Sequence, residues 1–390
     1  MEHKTLDLAV EPMTRGPKHH FFGYYDKTPW DATGRYLLGL EVDFMDRPPG
    51  PDDEAVVGLI DTEDGCSWQA LYSTRAWHWQ LGAMLQWTRH DPERSIVYNA
   101  RRDGRFVAVI RDVHSGRERR LPRPVYPLSP DGRTALSLNF ARLADTRPGY
   151  GYEGLGDPWQ DDPHPAEDGV YRVDLSTGES ELIISLAQMA DFHPRPDMDG
   201  AKHWFNHVQI NTDGSRFAFL HRWHAPEGPK WLTRLITAAP DGADVRLVAD
   251  GDMVSHYDWR DTETILAWAR QHETGDHYYL FNERTGNAQP FAPDLLACDG
   301  HCSWSPDRRW LLTDTYPDEE RMRTLILYCP DQNRRVDIGR FHAPPGLDGP
   351  IRCDLHPRWN RDGTKVCIDS AHEGSRQIYV LDVSDIIEES

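Results

Sequence analysis

A short polar turn recurs seven times along this chain, and this recurrence constrains the fold more than any other feature. Five copies are typical of the turn that joins two strands of a hairpin: DATG, SPDG, NTDG, SPDR and NRDG, beginning at residues 31, 129, 211, 305 and 360. Two weaker copies are HDPE at residue 90 and RDTE at residue 260. An apolar run follows each turn, as in RYLLGLEV and TKVCIDSA. The pattern indicates a repeat protein built from β-hairpins.

A second turn signal follows each of those strands, in segments such as VVGLIDTEDG, VAVIRDVHSG and QIYVLDVSD. A short fourth strand usually follows, so each unit has about four strands over roughly 40–60 residues, the size of a propeller blade. We therefore predict an all-β fold, a single-domain seven-bladed β-propeller. The predicted blades lie at approximately 18–65, 66–120, 121–184, 201–250, 252–292, 298–340 and 350–388.

The N-terminal segment TLDLAV is predicted to close the ring. The seventh unit ends without a fourth strand, so we assign that strand to residues 4–10. Closure removes the exposed strand edges that an open array would leave. An open β-solenoid or two sandwiches are the alternatives. Long polar insertions at 144–169 and 186–203 are either the rim of a functional site or disordered loops.

Composition narrows the classes of partner. The net charge is −20, which argues against a nucleic-acid backbone or an anionic membrane as the main partner. A local cluster of cations still allows an anionic small substrate. The chain shows no signal peptide and no apolar stretch of about 18 residues, so we expect a soluble cytoplasmic protein. The six cysteines form no CxxC pair and do not suggest a disulfide scaffold. The oligomeric state stays open.

Histidine occupies one register position in four successive units. When the units are aligned on the first turn, five carry Trp at the same place, which indicates packing between blades. Three residues upstream, the last four units carry His207, His256, His301 and His356. The first three units carry Lys27, Met84 and Val125 there. Equivalent positions lie at similar height around a propeller axis, so we expect the four imidazoles to converge. A structural role inherited with the repeat is the alternative.

Polar residues accompany these histidines. Asp299 and Asp354 lie two residues before a histidine, on the same side by the strand period of two. A mixed cluster of His, Asp and Gln suits a divalent metal such as Mn²⁺, with Zn²⁺ or Ca²⁺ as alternatives. No organic cofactor is expected. The predicted metal ligands are His207, Gln209, His301, Asp354 and His356.

Further candidates come from the first two blades, the fourth and the last. The segment KHHFFGYYDKTPW supplies Tyr24 and Tyr25, and FLHRWH supplies Arg222. Aromatic rings beside polar groups are typical of sugar-binding sites, although packing between blades explains any single one of them equally well. The predicted substrate-binding residues are His20, Arg75, His78, Gln80 and Arg358.

The last two units resemble the oligogalacturonate lyases, seven-bladed propellers of the TolB-like (WD40-like) type. The similar segments are GHCSWSPDRRWLLTD, DLHPRWNRDGTKVCIDSAHEGSRQIYVLDV and, from earlier blades, NHVQINTDG and SHYDW. The resemblance implies a Mn²⁺ held by three His and a Gln, with a further His as general base. It places His256 at the base, His301 at the first metal ligand and His356 at the last. The family motif QxxHxH falls on 351–356, where Ile351 replaces Gln and Asp354 replaces the first His.

A second group, the propeller lyases acting on ulvan or on rhamnose–glucuronate linkages, is similar in architecture. That resemblance implies His, Tyr and Arg in place of a catalytic metal. The His/Tyr-rich first blade and Arg222 suit this version.

We predict a carbohydrate-active enzyme, a lyase that cleaves an acidic, uronate-containing oligosaccharide or polysaccharide by β-elimination. The reaction needs a neutralised carboxylate, a base for the C5 proton and a proton for the leaving O4. We assign His256 as the base, Arg222 as the charge clamp and Tyr24 or Tyr25 as the acid. A glycoside hydrolase would need two facing carboxylates, and a non-catalytic carbohydrate- or protein-binding propeller needs no convergent histidines. The carboxylates available for a hydrolase are Asp26, Asp258, Asp299 and Asp354.

Overall fold

Seven β-sheets make up nearly all the regular structure of the computed structural model, which describes residues 2–225 and 231–389. The chain begins with β1 (Glu2–Thr5) and β2 (Glu11–Pro12). Each later group of strands forms one antiparallel sheet, in the order in which the strands follow along the chain. The seven-bladed β-propeller predicted from the turns is confirmed.

The first three blades end at residue 185. The first blade contains β3 (His19–Phe21), β4 (Tyr36–Val42), β5 (Ala55–Asp61) and β6 (Ser67–Thr74). The second contains β7 (Gln86–Trp87), β8 (Ser95–Arg102), β9 (Arg105–Asp112) and β10 (Glu118–Leu121). The third contains β11 (Thr134–Ser137), β12 (Gly169–Asp174) and β13 (Ser180–Ser185). Its inner strand is reduced to a single bridge between Leu128 and Ala135.

The last four blades complete the ring. The fourth contains β14 (Lys202–Ile210), β15 (Phe217–His224), β16 (Leu232–Ala238) and β17 (Arg246–Ala249). The fifth contains β18 (Val254–Trp259), β19 (Thr264–Gln271), β20 (Gly275–Asn282) and β21 (Ala288–Pro290). The sixth contains β22 (Ser303–Trp304), β23 (Leu311–Asp314), β24 (Met322–Cys329) and β25 (Arg334–His342). The seventh contains β26 (Arg358–Trp359), β27 (Lys365–Ser370) and β28 (Gln377–Asp382).

Closure of the ring by the N-terminal segment is confirmed, but the strand that joins the seventh blade lies at Glu11–Pro12, just after the predicted residues 4–10. The strand β2 pairs antiparallel with β28 and completes the seventh blade. The strand β1 instead pairs in parallel with β25 as an outer fifth strand of the sixth blade. Between them, Leu6, Leu8 and Val10 pack against a core shared by these two blades. The apolar alternation of TLDLAV thus reflects a face buried by packing, which does not require pairing in a sheet.

The first blade also ends later than predicted. The segment Ser67–Thr74 pairs with β5, so the first sheet extends past the boundary placed at residue 65. The sequence of this outer strand does not show which sheet it joins, because the mostly exposed outer strands of different blades have similar patterns.

The two polar insertions are ordered. The first begins in the last turn of α1 (Phe140–Thr146), a helix capped by the Asn139 side chain, and the second contains α2 (Leu186–Asp191) and a 3₁₀ turn, Pro196–Met198. Arg142 in α1 is buried, lies 3.0 Å from Asp157 and donates to four backbone carbonyls. A guanidinium can be buried this way because its donors are all satisfied. The alternative of disordered loops is therefore wrong.

Tryptophans join neighbouring blades, as the repeat predicts. Trp87 of the second blade donates its indole N–H to the Pro29 carbonyl of the first, at 2.8 Å. Trp359 of the seventh blade donates to the Ser303 carbonyl of the sixth, at 3.3 Å. The remaining helical segments are the 3₁₀ turn Gly349–Ile351 and α3 (Ser384–Glu388). No helix in the described residues is long and apolar enough to cross a membrane.

Candidate functional site

The four register histidines converge at the propeller axis. The ring centroids of His256 and His301 are 4.2 Å apart, those of His301 and His356 are 4.5 Å apart, and those of His207 and His256 are 6.1 Å apart. All four side chains are buried. His207 and His356 have positive φ angles, as does Met84 at the same register position of the second blade. Positive φ is uncommon outside glycine. Its recurrence at one register position indicates a backbone kink that is part of the repeat, and in two blades this kink orients a histidine.

His256 forms a dyad with Asp299 of the next blade. Its Nδ1 lies 3.0 Å from Asp299 Oδ1, while Asp299 Oδ2 accepts a hydrogen bond from Ser255 at 2.7 Å. A carboxylate at Nδ1 holds the proton there and leaves the lone pair on Nε2. Burial lowers the pKa of His256, and the Asp299 charge opposes that shift. The neutral imidazole is therefore the dominant form at neutral pH, as a general base requires.

His301 is oriented by Asp314. The carboxylate accepts from the His301 backbone N–H at 2.7 Å and lies 2.9 Å from the ring Nδ1. Gly300 permits this approach, because a Cβ at residue 300 would lie 1.8 Å from the Asp314 carbonyl oxygen. The Nε2 of His301 then carries the lone pair and points away from Asp314.

Two histidines and a carboxylate form a metal-like cluster. His301 Nε2 and His356 Nε2 each lie 3.9 Å from Asp354 Oδ2, and potential ligand atoms of the three residues all lie within 4.8 Å of one another. Within the described ranges, both nitrogens are buried without a hydrogen-bond partner, whereas the buried Asp354 oxygens are ion-paired with arginines. Unpartnered buried polar atoms are rare and call for a ligand or an ion. This donor set fits a divalent transition metal.

Two arginines flank Asp354. Arg323 Nη1 lies 2.9 Å from Oδ1 and Arg352 Nε lies 2.6 Å from Oδ2. Burial alone would raise the pKa of Asp354, but the charges of Arg352 and Arg323 hold it well below its usual value. Asp354 is thus ionised. The two guanidinium charges offset its negative charge, so the centre carries less negative charge than an isolated carboxylate would give it.

A cavity of about 540 Å³, the upper cavity, opens beside these groups. This volume is typical of a small-ligand site.

Arg222 is buried in the wall of the upper cavity and donates one hydrogen bond of 3.4 Å to the Val254 carbonyl. Its Nε and Nη1 have no partner among the described residues. Burial, and next the charge of Arg147, lower the pKa of Arg222 to about 10, so it stays cationic at neutral pH. The upper cavity is lined by Arg147, Tyr150, His207, Arg222, Trp231, Leu232, Thr233, Asp252, Met253, Val254, Ser255, His256, Arg270, Asp299 and Tyr316.

The two predicted tyrosines differ in their partners. The Tyr24 hydroxyl lies 2.5 Å from Nδ1 of His207. The Tyr25 hydroxyl donates to the Tyr257 carbonyl at 2.9 Å and accepts from its N–H at 3.1 Å. Both hydrogen-bonding functions of Tyr25 are thus used to join the first blade to the fifth.

Four of the other predicted residues lie away from this cluster. His20, on β3, contacts Glu41 of its own blade and Gln377 of the seventh blade, and Arg75 is exposed beside Glu54. Gln209 and Arg358 follow the register histidines by two residues, and this advance along the strand carries them toward the opposite end of the channel. There they line a second cavity of about 450 Å³, the lower cavity. Gln209 donates to the Tyr257 carbonyl at 3.0 Å, and Arg358 pairs with Asp369 at 2.8 Å, so neither reaches the metal-like cluster.

His78 and Gln80 lie behind the site. Gln80 donates to the Arg352 carbonyl at 3.0 Å and so supports the segment that carries Asp354. His78 Nδ1 accepts from the Trp79 N–H at 2.8 Å, and burial lowers the pKa of His78 to about 3. Neither residue lines the upper cavity.

Several site residues were missed from the sequence. Arg352 donates to the Tyr150 hydroxyl at 2.9 Å, and Tyr316 lies over the rings of His256 and His301. Burial raises the pKa of Tyr150, but the charges of Arg352 and Arg147 outweigh it and lower the pKa overall. The insertion at 144–169 was the available signal for Tyr150. Arg352 lies two residues before Asp354 in the sequence, and this proximity was the available signal for the arginine.

Fold and site together define a seven-bladed propeller with a histidine-rich axial centre. Among solved structures, the chain is similar to an oligogalacturonate lyase from Vibrio parahaemolyticus, with a TM-score of 0.66, 16% identity and coverage of 96% of this chain and 94% of that one. It is also similar to an oligogalacturonate lyase in complex with manganese, with a TM-score of 0.69, 18% identity and coverage of 98% and 96%.

A third similar structure is the β-propeller domain of the trilobed protease from Pyrococcus furiosus, with a TM-score of 0.55, 9% identity and coverage of 93% of this chain and 96% of that one. No family model and no curated protein matches the chain. At such low identities these similarities establish the fold alone.

Proposed function

We propose that this protein is a lyase that cleaves uronate-containing oligosaccharides by β-elimination. The observation that carries the proposal is the His256–Asp299 dyad on the wall of a cavity that also holds the unpaired guanidinium of Arg222. The arrangement provides a neutral base and a fixed cation within one ligand-sized space. The proposed substrate is acidic because the unpaired group is a cation.

Proton removal is assigned to His256. Its Nε2 takes the C5 proton, and the electron pair of the broken C–H bond moves toward the adjacent carboxylate. The C4–O4 bond then breaks as the C4–C5 double bond forms. Asp299 stabilises the imidazolium produced in the first step, because it lies against the protonated Nδ1.

Stabilisation of the negative charge that develops on the substrate carboxylate is assigned to Arg222. Among the described residues its Nε and Nη1 have no hydrogen-bond partner, so no hydrogen bond to them is lost when these N–H groups bind an oxyanion. A divalent cation held by His301, Asp354 and His356 would polarise the same carboxylate as a Lewis acid. The two imidazole nitrogens favour Mn²⁺ or Zn²⁺ over Ca²⁺, which prefers oxygen ligands.

The leaving O4 needs a proton, and Tyr150 is the better candidate than Tyr24 or Tyr25. Its hydroxyl oxygen accepts from Arg352, which leaves its own proton free to donate, and it lines the upper cavity. The lowered pKa of Tyr150 makes that donation easier.

The two rival functions receive less support. A hydrolase needs carboxylates facing each other across the pocket. Asp354 lies between two arginines, Asp299 is bound to His256 and Ser255, and Asp26 is paired with Lys27 at 2.8 Å. A binding propeller gives no reason for four histidines to meet at the axis.

The test compares wild-type protein with His256→Gln on 4-linked oligouronates, with a neutral glucan as the substrate control. A lyase produces ultraviolet absorbance from the unsaturated product in step with new reducing ends. We expect His256→Gln to keep the circular dichroism of the wild type and to lose activity by roughly 10²–10⁴-fold. His277→Gln, on β20 and outside the cavity lining, is the matched control. New reducing ends without absorbance, or full activity in His256→Gln, would overturn the proposal.

A further inference from the structure

The lower cavity is a separate space at the opposite end of the channel. It is lined by residues from the first turn, or just before it, of all seven blades. Along β18, His256 faces the upper cavity, whereas Asp258 and Trp259 line the lower one. The ring of Tyr25 lies between them, 5.8 Å from the His256 ring and itself part of the lower lining. A ligand in the lower cavity therefore does not contact the proposed base.

Three arginines in this lining are little paired with carboxylates: among the described residues, Arg89 and Arg361 form no ion pair, and Arg308 forms one long pair. Arg89 makes no hydrogen bond or ion pair within the described part of the chain. Among the described residues, the Arg361 side chain donates from Nε to the carbonyls of Trp30 and Asp31, at 3.1 and 2.9 Å. Arg308 donates to the Trp259 carbonyl at 3.2 Å, and its nearest carboxylate, Asp258, lies 3.9 Å away.

The remaining charges of the lining largely cancel. Lys27 is paired with Asp26 at 2.8 Å, and Arg358 is paired with Asp369 at 2.8 Å. Asp258 forms the 3.9 Å pair with Arg308, and both its oxygens accept backbone N–H groups, from Trp259 and Trp304. A protein with a net charge of −20 thus has a locally cationic mouth.

The cations also repel one another. Burial lowers the pKa of Arg361, and the charge of Arg89 lowers it further. The pKa of Arg89 is lowered as well, because the surrounding protein displaces part of its hydration, while part of the side chain stays exposed at the mouth. Like charges with no anion between them destabilise the free protein, and an anion bound between them would remove that cost.

We propose that the lower cavity is a second binding site, in which Arg89, Arg308 and Arg361 bind a small, multiply charged oxyanion of the phosphate or polycarboxylate class. Guanidinium groups match the planar pairs of oxygens in both kinds of anion. A volume of about 450 Å³ suits a molecule of that size. The site does not depend on the lyase function, because none of the three arginines lines the upper cavity.

The test is calorimetric titration of the full-length protein with inorganic phosphate and, in a separate arm, with citrate, both at constant ionic strength set by chloride. We expect saturable binding of at least one of them. Arg89→Gln is the main variant, because it removes a charge without removing any side-chain hydrogen bond seen in the described part of the chain. It should weaken binding by roughly tenfold, since charge-assisted hydrogen bonds are lost. Arg308→Gln should also weaken binding of the oxyanion.

Arg284→Gln, on the exposed outer turn after β20, is the matched control and should bind like the wild type. Stronger binding of phosphate would identify a phosphate ester as the ligand class, and stronger binding of citrate a polycarboxylate. Heat signals that do not saturate, or equal affinity in wild type and Arg89→Gln, would overturn the proposal. His256→Gln should leave oxyanion binding unchanged, so failure of the lyase assay and failure of this test are distinguishable.

Discussion

Asp299 of the sixth blade lies 3.0 Å from Nδ1 of His256 in the fifth blade. The contact crosses the interface between two blades, so the ring closure that fixes the spacing of the blades also fixes the orientation of the proposed base. Ser255 holds the second carboxylate oxygen at 2.7 Å and prevents Asp299 from rotating away.

Asp299→Asn should weaken the proposed base. The Asp299 charge raises the pKa of His256, so its loss lowers that pKa and shifts the acidic limb of the kcat/KM–pH profile to lower pH. The weaker base should reduce kcat by roughly tenfold or more. Ser255→Ala keeps the charge of Asp299 and should leave the acidic limb of the profile at the wild-type pH. An unchanged profile in Asp299→Asn would argue against His256 as the base.

Metal analysis should find about one divalent ion per chain, held by the cluster of His301, Asp354 and His356. Chelation should lower the melting temperature, because a metal bound only by the folded state stabilises it. Asp354→Asn and His356→Gln should reduce the bound metal, whereas His372→Gln, outside the cluster, should not. Metal-free protein of undiminished activity would assign charge neutralisation to Arg222 alone.

Tyr25→Phe should affect stability rather than catalysis. The variant leaves the buried N–H and carbonyl of Tyr257 without the phenolic partner, which should cost about 1–3 kcal/mol in the free energy of unfolding. Urea unfolding measures that cost, and the lyase assay should show little change in kcat. A large loss of kcat with unchanged stability would restore Tyr25 as the catalytic acid.

His203 should make the protein sensitive to acid. Arg234 donates to His221 Nδ1, so His221 donates from Nε2 to His203 Nδ1, at 2.7 Å. Burial lowers the pKa of His203 to about 4, below its unfolded value of about 6.5. The folded state then binds fewer protons than the unfolded state in this range. Stability should therefore be complete above about pH 6.5 and fall by up to about 1.4 kcal/mol per pH unit as pH drops toward 4.

Urea unfolding at several pH values between neutral and about pH 5 measures this slope. His203→Gln keeps an acceptor for His221 but removes the titration, so its slope should be flatter. His114→Gln, at an exposed turn, is the control and should retain the wild-type slope. Equal slopes in wild type and His203→Gln would contradict the prediction.

Deletion of residues 1–12 should open the ring, because it removes the pairing of β2 with β28. Deletion of residues 1–5 removes only β1, whose side chains are exposed, and should cost less. Thermal unfolding of the two truncated chains measures the difference. Equal melting temperatures would mean that β2 contributes little to closure.

The turns and alternating strands determined the blade count, the register of the four histidines and the tryptophans between blades. These features depend on local chemistry: turn residues set hairpins, and the period of two sets which side chains share a face. The shared register position is likewise sufficient to predict that His207, His256, His301 and His356 lie close together.

Only the tertiary structure decided the partners across blades. Asp299 points to His256 of the preceding blade rather than to His301, and Arg323 and Arg352 reach Asp354 from two separate segments. Gln209 lines the opposite cavity, because two residues along a strand advance the side chain by about 7 Å from the level of His207. Spacing along one chain segment fixes the side of a strand, whereas the distance between blades is set by packing around the whole ring.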